Sequence, residues 1–380
     1  MAVSAERMMT GGPLAGRRIV EFAGIGPAPF CGMLLADLGA DVVRIEAPSP
    51  PRAGRTVPIL DTRFDVVNRG KLAVRLDLKR DDDRATAAGL VAAADALIEG
   101  FRPGTMERLG FSPEACRTGN RRLVYGRATG WGQNGPLSRT AGHDINYIAL
   151  CGVLHSIGVD GGPPAIPLNL IGDYAGGGLM LAFGIVSAIL EATRSGEGQV
   201  VDAAMAEGAA LLMAAAYGFQ AAGLLPNVRG RNILGGGAHF YGIYECADGQ
   251  WLAVGAVEAE FYAELLRRCG LDDPEFKRQL DPAAWPILKS RLAELFKTRT
   301  RADWEALFDG SDACVAPVLS MAEAPHHPHN RDRRTFIELD GVTQPAPAPR
   351  FERGADGVRW AAPARVMDAA DLLNRWRASA

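Results

Sequence analysis

Three side chains stand where a proton could be moved. In Gly142-His143-Asp144-Ile145-Asn146-Tyr147 several polar and aromatic groups gather before an apolar stretch. An imidazole there can take or give a proton near neutral pH. Asp173, in Ile171-Gly172-Asp173-Tyr174-Ala175-Gly176-Gly177-Gly178, precedes an apolar helix expected over residues 179–190. An aspartate near a helix start could serve as acid or base while neighbouring amides hold a developing oxyanion. The glycines around it would let a ligand approach the backbone. Glu258 follows a predicted hairpin and opens a helix, from which it could orient or recharge an imidazole. Each group also has an ordinary structural explanation. A lone histidine is often a satisfied structural residue, Asp173 could be a helix cap, and Glu258 could complement a helix macrodipole. Local sequence leaves both readings open.

Basic residues recur beside turns: Arg69 and Lys71, Lys79 and Arg80, Arg102 in Phe101-Arg102-Pro103-Gly104, and Arg108. They are either solvated or, following strand ends along one edge of an α/β sheet, placed to grip the phosphates of a nucleotide-like group. No Gly-x-Gly-x-x-Gly opens a helix after the first strand and no Walker-type loop occurs, which argues against a standard dinucleotide or P-loop site. His326, His327 and His329 lie in a proline-containing stretch without cysteine partners or helical His-x-x-x-His spacing, so they read as solvated loop and no metal site is expected.

The positioning elements follow from periodicity. Arg18-Ile19-Val20-Glu21, Asp41-Val42-Val43-Arg44-Ile45, Ala94-Asp95-Ala96-Leu97-Ile98-Glu99 and Arg122-Leu123-Val124-Tyr125-Gly126 read as buried strands alternating with helices, which implies a parallel sheet. Residues 48–64, rich in proline and arginine, read as a surface loop, and residues 203–223 as one helix. Tyr241 to Cys246 and Trp251 to Gly255 read as a hairpin turning at Asp248-Gly249, and a last helix is expected over residues 364–377. With 380 residues, two domains are expected. They are a large α/β domain over 1–224 and a small α+β domain over 225–340, with 341–380 returning to the large one.

The net charge of −3 supplies no field for a phosphate polymer, so nucleic-acid binding is not expected. Cys31, Cys116, Cys151, Cys246, Cys269 and Cys314 form no Cys-x-x-Cys pair and suggest a reducing compartment. The longest apolar run, residues 179–190, is too short to span a bilayer. The first sixteen residues lack the apolar centre of a secretory signal, and the final Ala-Ser-Ala is not a peroxisomal address. A soluble cytoplasmic protein without a membrane partner is the expectation.

Taken together, several segments resemble the family III CoA-transferase superfamily, and within it the α-methylacyl-CoA racemases. The likeness runs from Leu14 to about Arg353. It is carried by Glu21-Phe22-Ala23-Gly24-Ile25-Gly26-Pro27, Leu35-Ala36-Asp37-Leu38-Gly39-Ala40-Asp41, Glu99-Gly100-Phe101-Arg102-Pro103-Gly104, Thr129-Gly130-Trp131-Gly132-Gln133-Asn134-Gly135-Pro136 and Gly198-Gln199-Val200-Val201-Asp202. The histidine of Gly142-His143-Asp144 carries the racemase branch.

The resemblance implies a Rossmann-like large domain with a smaller α+β domain, in an interlocked homodimer. It implies His143 and Asp173 as the acid–base pair, Glu258 coupled to His143 across the subunit boundary, and CoA near Leu76, Asp77, Lys79, Gly100, Arg102, Arg108, Gly142, Asn146 and Tyr147. The substrate would be an acyl-CoA, and no cofactor beyond the CoA it carries is implied. Relatives often carry an arginine where this chain has Ala47; Arg52 or Arg55 could substitute. Two rivals stand beside racemisation. One is CoA transfer with Asp173 as nucleophile; the other is a catalytically silent CoA-binding protein.

Overall fold

The computed structural model describes residues 11–48, 59, 62–353 and 357–378. Arg52 and Arg55, and most of the loop expected over 48–64, lie outside the described residues. The chain divides into two compact units. One is formed up to Cys151, by Leu168–Leu212 and by Pro328–Ala380; the other by Gly152–Pro167 and Met213–His327.

The first unit is built on six parallel strands: β1 (Arg18–Phe22), β2 (Asp41–Glu46), β3 (Leu72–Arg75), β4 (Ala96–Glu99), β5 (Val124–Thr129) and β6 (Val200–Ala204). Their order is 3-2-1-4-5-6, the Rossmann order, with a two-residue strand Arg365–Val366 added in parallel outside β3. Successive side chains on a strand point to opposite faces. Val20, Phe22, Val43, Ile45 and Leu97 therefore enter one core cluster, beneath the helices Asp81–Ala92 and Ala369–Ala378. Ile19, Val42, Ala96 and Ile98 enter the other, beneath Pro27–Asp37 and Met180–Ser195. Burial on both faces is what makes these segments near-continuous apolar runs.

Buried carboxylates inside this sheet are paired with cations. Lys71 Nζ, fully buried, donates to Glu21 Oε2 at 2.7 Å, to the Pro29 carbonyl at 2.8 Å and to Asn68 Oδ1 at 3.0 Å. Arg44 stands 3.6 Å from the other Glu21 oxygen. Glu99 accepts from Arg127 Nε at 2.8 Å and from the Phe101 N–H at 2.7 Å, which shapes the turn leaving β4.

Two expectations are corrected here. The helix expected over residues 179–190 begins at Leu170: Leu170–Leu179 winds as π-helix and Met180–Ser195 continues as α-helix. Asp173 therefore lies inside the first turns, with Asn169 at the N-cap position. Together these 26 residues are long and apolar enough, by length and composition, to cross a membrane, and half of the most apolar stretch is buried. The buried side, including Leu181 and Ile185, packs in the core. The single helix expected over 203–223 is instead the end of β6, a helix Met205–Leu212 and a second helix Ala214–Ala221. Pairing of Ala203 and Ala204 with β5 takes them into the sheet.

In the second unit, Tyr241–Glu245 and Trp251–Gly255 form the expected antiparallel hairpin, joined by Val315–Pro317. The helices Ala259–Cys269, Trp285–Phe296 and Arg301–Phe308 supply Leu265, Leu288, Leu292 and Trp304 to its core. This unit runs from Met213 to His327 and takes in Gly152–Pro167, against the expected span of 225–340. Arg231 pairs with Asp160 at 2.9 Å, fastening the earlier segment to it. The hairpin Phe336–Leu339 and Val342–Pro345 belongs to the first unit, where Arg69 donates to the Pro345 carbonyl at 2.6 Å.

Candidate active site

Strand order reverses between β1 and β4, and in an open parallel sheet the crevice outside the carboxyl ends at that point is where ligands bind. A cavity of about 650 Å³ lies there. Residues 24–27 after β1, 100–103 after β4 and 128–131 at the end of β5 line it, together with His143, Tyr147, Asn169 and Asp173. At Gly26 the chain leaves β1 with φ of 74°, and a Cβ there would lie 3.4 Å from Asp173 Oδ2, so the turn and the carboxylate are in direct apposition.

His143 is exposed and caps the helix Asp144–Leu150; its backbone N–H donates to Asn146 Oδ1 at 3.0 Å. Tyr147, one turn on, is buried against Gly130 and donates its hydroxyl to the Gly142 carbonyl, which holds the loop that carries His143. Trp131 meets the Tyr147 ring edge-on at 4.8 Å. Asp173 is half-buried. Its Oδ2 accepts from Asn169 Nδ2 at 3.0 Å, and its backbone N–H donates to Asp144 Oδ2 at 2.7 Å. Burial pushes the Asp173 carboxyl above its ordinary range and the negative charge of Asp144 pushes it further; the Asn169 bond and the charge of His143 pull the other way. His143 and Asp173 thus line one cavity, and the imidazole acts on the Asp173 carboxyl.

Of the nine residues expected near CoA, Gly100, Arg102, Gly142 and Tyr147 line this cavity. Leu76 is 5% exposed and belongs to the core, while Asp77 accepts from the Lys79 N–H at 3.1 Å in the turn after β3. Lys79, Arg108 and Asn146 are exposed, Arg108 donating to Thr105 Oγ1 at 3.0 Å. Glu258 lies in the second unit, at the N-cap position of Ala259–Cys269, with no side-chain capping bond. Among the described residues no cluster suited to a metal ion occurs, and His329 sits in the short helix Pro328–Asp332.

A second cavity, about 610 Å³, opens at the amino ends of the strands. Its carboxylate, Asp95, is taken by Arg17 at 2.9 Å and by the Arg18 N–H at 2.9 Å, leaving no proton-transfer pair there.

Comparison with known proteins agrees with this architecture. The CoA-transferase family III model matches residues 14–368. This chain belongs to CoA-transferase family III. It is 48% identical over 336 residues to the alpha-methylacyl-CoA racemase of Mus musculus, covering 88% of this chain and 85% of the relative. To the alpha-methylacyl-CoA racemase of Homo sapiens it is 45% identical over 339 residues, covering 88% and 86%. A crystal structure of a CAIB/BAIF family protein from Brucella suis superposes with a TM-score of 0.82 at 26% identity, covering 96% of this chain and all of that one.

Within this family III chain the glycines after Asp173 do something other than expected. Gly176, Gly177 and Gly178 are buried. A Cβ on Gly176 would lie 2.6 Å from the Ala209 backbone nitrogen, one on Gly177 2.8 Å from Met205, and one on Gly178 2.8 Å from the Pro27 carbonyl. They admit neighbouring helices rather than a ligand. Asp173 also has its N–H committed to Asp144, which removes that amide from the donors expected for an oxyanion. Two functional neighbours went unread in the sequence, Asn169 and the side chain of Asp144. The i,i+4 spacing of Asn169 and Asp173 was a usable signal; nothing local marked Asp144.

Proposed function

We propose that this chain interconverts the two configurations of 2-methylacyl-CoA thioesters by removing the α-proton from one face and returning a proton to the other. The observation that carries the reading is that His143 and Asp173 line a single cavity at the sheet's switch point, in a chain 48% and 45% identical to relatives named racemases. An α-proton beside a thioester is weakly acidic, and its loss places charge on the thioester oxygen. With the thioester held in place, inversion needs an acid or base on each face of the α-carbon. In this proposal His143 serves one face and Asp173 the other. A carboxyl held above its ordinary range suits Asp173 to returning a proton as well as taking one.

Gly100, Arg102, Gly142 and Tyr147 would receive the CoA end of the thioester. Lys79 and Arg108, exposed after β3 and β4, would meet its phosphates. Side chains carry both proton transfers, so the proposal includes no metal or redox group. The resemblance to racemases further supports an interlocked homodimer in which Glu258 of one subunit is coupled to His143 of the other. Leu179, Phe183 and Leu190, 50–70% exposed on the long apolar helix, fit burial in such an assembly.

The experiment is incubation of one enantiomer of a 2-methylacyl-CoA with the protein and an added carboxylate, followed by chiral chromatography. Formation of the opposite enantiomer with CoA still on its acyl group supports the proposal. Movement of CoA to the carboxylate with configuration retained replaces it by transfer through Asp173. CoA transfer is the activity in the name of a 31% identical relative, the acetyl-CoA:oxalate CoA-transferase of Acetobacter aceti.

A further inference from the structure

We infer that Asp144 is a positioning residue: its buried carboxylate ties the segment carrying His143 to the backbone at Asp173 and sets the charge that Asp173 feels. The inference rests on the proposed acid–base pair and adds the group that holds the two members together.

Asp144 directly follows His143 and is 5% exposed. Its Oδ2 accepts the Asp173 N–H at 2.7 Å, a bond that spans 29 positions of sequence. A first-turn aspartate ordinarily serves its own helix; this one reaches across to a different helix. Gly172 makes room for it, since a Cβ at 172 would lie 2.6 Å from that same oxygen. The other oxygen, Oδ1, is buried and makes no hydrogen bond among the described residues. A buried carboxylate with one oxygen unpartnered is costly, and an asparagine could accept the same N–H without carrying charge.

That charge acts on Asp173, whose proton affinity it raises, and on Tyr147, which it pushes the same way after burial and Asp173 itself. Of the other charged groups lining the cavity, Arg102 is exposed and Asp65 accepts from Asn68 Nδ2 at 2.8 Å. His143 opposes Asp144. Asp37, at the end of the helix Pro27–Asp37, is bound to Arg69 at 2.7 Å; Arg127 on β5 is paired with Glu99 at 2.8 Å; Asp202 on β6 accepts from Gln133 at 3.1 Å.

Two variants separate the roles. Asp144→Asn keeps an acceptor for the Asp173 N–H and removes the charge. The expected result is KM within about twofold of wild type and an acid limb of the kcat/KM profile displaced to lower pH. Asp144→Ala removes the tie as well, and kcat should fall on the order of 10²-fold, the penalty of misplacing a reacting group by about an ångström. A carbon-13 titration of the Asp173 carboxyl, assigned by its loss in Asp173→Asn, reads the charge effect without turnover. Its midpoint should fall in Asp144→Asn, and melting curves check that both variants fold. An unmoved midpoint with wild-type kcat in both variants overturns the inference. A midpoint that falls in a protein whose wild type never exchanges the α-proton would leave the Asp144 pairing intact and sink the acid–base reading instead.

Discussion

Two sets of buried or half-buried carboxylates in the first unit are treated in opposite ways. Under the sheet, Glu21 is matched by Lys71 and Arg44, Glu99 by Arg127 and Asp37 by Arg69, each with a cation within 4 Å. At the carboxyl ends of the same strands, Asp144 and Asp173 are set against one another through a backbone N–H, and the neutral amide of Asn169 is the side chain that bonds Asp173. Burial pushes Asp37 and Glu99 up and their arginine partners pull them back; burial likewise pushes Asp173 up, but there the negative charge of Asp144 adds to the rise. The first arrangement fixes the fold; the second suits the proton transfer proposed for Asp173.

The contrast can be broken at either end. Asp173→Ala and His143→Ala should each lower the rate of α-proton exchange by about 10²–10⁴-fold, with the melting temperature changed little by comparison; deuterium incorporation into a 2-methylacyl-CoA measures it. Lys71→Met should leave exchange chemistry without a direct loss but cost about 3–5 kcal/mol in urea denaturation, because Glu21 stays buried beside an incomplete set of cations. Adding Glu21→Gln to that variant should recover part of the loss.

Gly208→Ala tests the glycine contacts. Its Cβ would lie 1.9 Å from the Gly176 carbonyl oxygen, so overpacking of about 1–3 kcal/mol is expected. The helix carrying Asp173 should shift with it, lowering exchange as well as stability.

The smallest effect concerns pH. The folded chain holds the Asp173 proton more tightly than the unfolded chain does. The stability linked to this group is therefore present at low pH and is lost as pH rises from its ordinary range through its raised folded value. Asp173→Asn escapes that loss. It should melt at a higher temperature than wild type above that window, with the gap closing below it, while exchange is abolished.

Much of this was legible in the sequence because burial on both faces writes continuous apolar runs. β1, β2, β4 and β5 could be read, and so could the hairpin of the second unit. β3 could not, being four residues among charged neighbours that are themselves buried, such as Lys71. β6 was hidden by its composition, since Ala203 and Ala204 suit a helix and only pairing with β5 decides otherwise. His143 and Asp173 stood out by residue type and setting. The role of the glycines was misread because a glycine that admits a ligand and one that admits a helix look alike locally. Asp144 was hidden for a different reason: its partner lies in another helix, and its meaning resides in that distance.

The most direct test is nuclear magnetic resonance of a single enantiomer of a 2-methylacyl-CoA turned over in deuterated water. The account predicts loss of the α-proton signal and appearance of the opposite enantiomer carrying deuterium at the α-carbon. An α-proton that persists, with configuration retained, would contradict it.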